Sequence, residues 1–132
     1  MAEVAGAIDD GIVAIALFPA VKDELKSPRA EESFNPGGLV PRAVRMLKEK
    51  WPFLVVVTDV ALDPYNSDGH DGIVDGRPGH NAVLNDPTVR VLCKQAVCQV
   101  CCTSEHILYY GALRSSTARI LLVGVLMVCA PL

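Results

Sequence analysis

The chain has 132 residues, a formal net charge of -3, and is 51% hydrophobic and 20% charged. That is room for one ordinary domain with a buried core, and the composition excludes a disordered chain. No basic block offers a footprint for nucleic acid, so nucleic acid is not an expected partner.

Met1-Ala2-Glu3-Val4 has neither a basic n-region nor a long apolar run, which argues against a secretory signal. Ile12 to Phe18 (IVAIALF) is a short, β-branched apolar run closed by Pro19. Such a run predicts a strand covered on both faces, as in a parallel sheet. A polar loop with Lys22 and Lys26 follows. Pro41 suits a first helical turn. Val44 and Leu47 then point inward, while Arg42, Arg45, Lys48 and Glu49 form a wet face, and Trp51-Pro52 ends the helix. Leu54 to Val57 (LVVV) predicts a second strand running on toward Leu62.

The stretch 63–84 is rich in Gly, Asp, Asn and Pro and has no period, so it is either functional or disordered. Asn85-Asp86-Pro87 predicts a cap followed by proline at the first helical position. Val89, Leu92, Cys93, Ala96 and Val97 then make one apolar stripe, read as core packing. Alternating strands and helices imply βα units, hence an α/β fold with about two parallel strands and their helices.

Residues 1–99 are expected to form this unit and 100–132 a divergent hydrophobic tail. Within the tail, Ile120 to Leu132 carries no charge. It is shorter than the roughly 20 residues that span a bilayer, so no membrane partner is expected. A core strand, a membrane-surface segment or sequence never selected to fold remain open. The cysteines number 5, an odd count that makes a poor disulfide framework, and Cys98-x-x-Cys101 reads as incidental.

Chemistry concentrates in TDVALDPYNSDGHDG, Thr58 to Gly72, directly after the second strand. Ligands of parallel α/β folds bind beyond the carboxyl ends of strands. Asp59 and Asp63 differ by four, so an extended strand would put both on one face. Carboxylates there can bind hard cations or hold an amine substrate. The alternative is a solvated turn in which Asp and Gly serve backbone geometry.

AIALFPAVKDELKS (Ala14 to Ser27), FNPGGLVPRAVRMLKEKWP (Phe34 to Pro52), TDVALDPYNSDGHDGIV (Thr58 to Val74) and LNDPTVRVLCKQAV (Leu84 to Val97) resemble successive blocks of porphobilinogen synthase, also called 5-aminolevulinate dehydratase. The blocks stand in family order over roughly Glu3 to Gln99. The resemblance implies part of a (β/α)8 TIM barrel and the condensation of two 5-aminolevulinate molecules to porphobilinogen, the precursor of haem and chlorophyll. It places Asp59 at the active site.

Zinc-dependent members carry three cysteines where this chain has Ala61, Asp63 and Asp71. Thiolates suit zinc and carboxylates suit magnesium. The resemblance is therefore to the magnesium class, with Asp63 and Asp71 as metal candidates, zinc not expected, and His70 as a loop-stabilising residue. It further implies a homo-oligomer, and a plastid stroma location for a plant or algal source, otherwise the cytoplasm.

The family forms Schiff bases on lysines of later barrel strands. Lys22, Lys26, Lys48, Lys50 and Lys94 read instead as solvated surface lysines, so this internal fragment is expected to be inactive alone. It would associate with full-length subunits or be a mis-spliced product. Valine codons begin with GT, so Val100 could mark a retained intron, and a shifted frame at Gly124 to Met127 can read Gly-Ala-Asp. An open two-strand sheet would also expose core faces and dissolve poorly.

Overall fold

The computed structural model describes residues 1–77, 82–101 and 107–110. Short runs of residues that fit a pleated surface form its sheet. Strand β1 is Ala14–Leu17 and β2 is Val55–Asp59, paired in parallel from Ala14 opposite Val55 to Leu17 opposite Thr58. The intervening helix, α2, is Leu39–Lys50. It carries the chain back so that the second strand can run parallel to the first. A third strand, β3, Ile107–Tyr110, pairs in parallel with β2, giving the order β1-β2-β3. It lies past the Gln99 boundary and extends the two-strand expectation. Parallel strands in chain order with helices between them are the winding of a (β/α) barrel segment.

The strand faces differ. Val56 and Thr58 are 0% exposed, while Val55, Val57 and Asp59 are half-buried. Val56 packs with Val40, Val44 and Leu47 of α2 and with Leu54. Ile15, Leu17 and Trp51 border this cluster, as do Val4 and Ile8 of a first helix, α1, Ala2–Asp9, which the sequence reading did not anticipate. Burying each such Val or Leu side chain contributes about 1.5–3 kcal/mol. The opposite face is open at Ala14 and Ala16, so the described chain covers one side of its sheet rather than both.

Helix α3, Asn85–Val100, begins two residues earlier than proline at its first position would have it, with Leu84 at the cap position. Pro87 is therefore the third helical residue. Its missing N–H falls among the amides that lack a helical partner anyway, so it is tolerated there.

The buried face of α3 shares only Leu92 with the expected stripe. Thr88, Leu92, Gln95 and Gln99 are buried, whereas Cys93 is exposed and Val97 is 61% exposed. The face turned inward is the one whose amides can pair with main-chain carbonyls, and hydropathy alone does not register that pairing.

Lys48 also departs from its expected place. It is buried, not on the wet face, and its Nζ donates to the carbonyls of Pro52 at 2.6 Å and Leu54 at 3.1 Å. The chain turns back after Trp51, and the ammonium caps carbonyls exposed by that turn.

A second core cluster of Ala30, Leu62, Tyr65 and Leu92 ties the β1–α2 loop, the loop after β2 and α3 together. Among the described residues no helix is long and apolar enough to cross a membrane. Cys102, Cys129 and the Ile120 to Leu132 run lie outside the described residues, as does the rest of 111–132.

Candidate functional site

β2 ends at Asp59, and the chain then turns at Leu62, whose carbonyl accepts the amides of Tyr65 and Asn66 at 2.9 Å each. The extended geometry expected to align Asp59 with Asp63 therefore stops before Asp63. The turn brings the carboxylates together by another route. Asp59 feels the charges of both Asp63 and Asp71, and Asp71 feels that of Asp63. Asp59, Asp63 and Asp71 thus lie within electrostatic reach of one another about the carboxyl end of β2.

The electrostatics follow from this crowding. Burial, then the Asp63 and Asp71 charges, push the Asp59 carboxyl above the usual range, against the Val60 amide that donates to it. Burial likewise raises Asp71, opposed first by the Leu62 amide and, after the repulsion of Asp63, by the Asp63 amide. Desolvation and like charge both disfavour the ionised form, and hydrogen bonds to it favour that form.

The loop is ordered by Asn66 rather than by His70, which is exposed. Asn66 is buried, donates from Nδ2 to the Gly72 carbonyl at 2.8 Å, and accepts the Asp68 amide at 2.6 Å. Ser27 bridges the two loops, since its amide reaches the Tyr65 carbonyl at 3.1 Å and its carbonyl takes the Ser67 amide at 3.2 Å. Gly72 permits a close approach, because a Cβ there would lie 2.4 Å from Val83 Cγ1.

Sequence reasoning missed Gln95 and Gln99. Gln99 Nε2 donates to the Asp59 carbonyl at 3.3 Å, and its Oε1 accepts Thr58 Oγ1 at 3.0 Å. Gln95 Nε2 donates to the Ala61 carbonyl at 3.1 Å. Their four-residue spacing, on one helical face, was the available signal.

As a metal site the cluster is sparse. Among the described residues no group of three or more His, Cys, Asp or Glu could hold an ion. Asp71 Oδ1 already accepts the Leu62 amide at 2.7 Å. A tetrahedral zinc site needs more donors than Asp63 and Asp71 supply. A hydrated magnesium ion, commonly held by one or two carboxylates, does not.

A family model described as delta-aminolevulinic acid dehydratase matches residues 1–108. The chain belongs to the delta-aminolevulinic acid dehydratase family. It is 58% identical over 99 residues to the chloroplastic dehydratase of Glycine max, covering 74% of this chain and 23% of that one. The chloroplastic dehydratase of Pisum sativum is 56% identical over 99 residues, covering 74% and 24%. The chain thus spans about a quarter of the length of these dehydratases. Its fold resembles the crystal structure of the Toxoplasma gondii dehydratase (porphobilinogen synthase) in complex with the reaction product porphobilinogen. The TM-score is 0.75 at 49% identity, over 82% of this chain and 30% of that one. These likenesses identify the strands and helices described above as a segment of the family's α/β fold.

Proposed function

We propose that this chain supplies one segment of a porphobilinogen synthase, which condenses two 5-aminolevulinate molecules to porphobilinogen in haem and chlorophyll biosynthesis, and that alone it does not turn over. Asp59, at the carboxyl end of β2, is the group of this segment that faces substrate and holds its amine. The family match and the raised, crowded carboxylates support this assignment.

One observation carries the inactivity: no lysine lies on a strand or beside Asp59. Lys22, Lys50 and Lys94 are exposed, and Lys26 pairs with Asp23 at 2.8 Å. Lys48 is buried, yet it is bound to carbonyls at the opposite end of β2, roughly 16 Å along the strand from Asp59. A Schiff-base lysine must instead present a neutral, desolvated amine to substrate.

Magnesium is the proposed metal for Asp63 and Asp71, where it would neutralise the loop's charge. Plastid stroma is the proposed compartment, supported by the chloroplastic relatives. A second reading is non-catalytic association with longer subunits of the family, favoured by the exposed Val13, Phe18 and Phe53. The proposal is tested by assaying porphobilinogen formation from 5-aminolevulinate with magnesium. The chain alone should give only background, and sustained turnover would overturn the reading.

A further inference from the structure

The link between α3 and the end of β2 has a repeating geometry. In a trans peptide the carbonyl of one residue and the amide of the next point in opposite directions. At the Asp59–Val60 peptide the carbonyl accepts Gln99, so the Val60 amide is turned to the opposite side. At the Ala61–Leu62 peptide the carbonyl accepts Gln95, while the Leu62 amide donates to Asp71 Oδ1. Both peptide planes are thus held on one side by a glutamine, and the second is also held on the other by the Asp71 carboxylate.

The spacings match. Four residues of helix advance about 6.0 Å and two residues of strand about 6.6 Å, so Gln99 and Gln95 meet alternate carbonyls of an oppositely running segment.

We propose that Gln95 and Gln99 are positioning residues, which fix the two peptide planes after β2 and thereby set how Asp59 and Asp71 are presented at the carboxyl end of the sheet. The inference rests on the reading of Asp59 as the substrate-facing group. Core packing alone does not account for the glutamines. Both are 0% exposed, and Gln95 Oε1 is buried without a hydrogen-bond partner. A methionine of the same shape would spare that one atom but leave the Asp59 and Ala61 carbonyls and the Thr58 hydroxyl without these partners. Orientation of the carbonyls is what the amides add.

The test is amide hydrogen exchange on the 132-residue chain, with Val60 and Leu62 as reporters. Q99M should speed exchange of Val60, and Q95M that of Leu62, by about tenfold relative to the α2 and β1 amides. Each should also shift the carboxyl carbon resonance of the carboxylate on its own peptide, Asp59 or Asp71. Q99E keeps the acceptor for Thr58 but loses the amide donor, and should reproduce the Val60 effect.

L92A, which thins the same helix face without touching either carbonyl, should speed exchange throughout and spare the local difference. Equal patterns in Q99M and L92A, or unshifted carboxyl resonances, would overturn the proposal, as would a wild-type chain with unprotected Val60 and Leu62. Porphobilinogen formation by the wild-type chain would instead strike at the functional reading, and leaves these exchange outcomes untouched.

Discussion

The Leu62 amide donates to Asp71 Oδ1 at 2.7 Å, closing a loop between the end of β2 and a carboxylate nine positions on. D71A should destabilise the chain by about 1 kcal/mol, the usual net worth of such a bond, partly offset by relief of repulsion with Asp59 and Asp63. D71N, which keeps an acceptor and removes the charge, should lose less. Urea denaturation of the three chains checks the order.

Asp59 gives a pH signature. Its folded-state pKa is raised, so the folded chain holds the proton more tightly than the unfolded one. The stability this confers is complete below the unfolded value of 3.8 and is lost as pH rises through the folded value. D59N should therefore be more stable than wild type at neutral pH, with the difference shrinking on acidification. Denaturation midpoints measured across the acid range decide it.

Burial, helped by the charges of Glu32 and Asp59, pushes the Tyr65 phenol up to about 12. The folded chain then binds its proton where the unfolded one has lost it, so stability should fall as pH rises from 10 toward 12. Ultraviolet titration should show one late tyrosinate transition that Y65F removes.

G72A should cost about 1–3 kcal/mol, because its Cβ would collide with Val83 Cγ1 at 2.4 Å and press on Thr88 Oγ1 at 3.0 Å. Adding V83A should recover part of the loss, since the closer contact is then gone while Thr88 remains. Thermal melts of the single and double variants measure the coupling.

The elements that announced themselves in the sequence did so through single-residue chemistry. The IVAIALF and LVVV runs are continuous because β-branched side chains suit a sheet, and Asp59, Asp63 and Asp71 were visible as a carboxylate group after a strand. What stayed hidden depends on partners far along the chain. Lys48 is charged, and only the turn after Trp51 provides the carbonyls that let it be buried. Gln95 and Gln99 are polar, and only the path of residues 59–61 makes theirs the inward face of α3. Hydropathy assigned that face to Val97 and Cys93 because it counts transfer from water and not paired carbonyls. The ordering of the loop by Asn66 is a similar case, resting on the Gly72 carbonyl and the Asp68 amide.

Incubating the chain with 5-aminolevulinate and borohydride, then weighing it by mass spectrometry, puts the central claim at greatest risk. Placement of all lysines away from Asp59 predicts an unchanged mass. A stoichiometric adduct mapped to any of Lys22, Lys26, Lys48, Lys50 or Lys94 would contradict it.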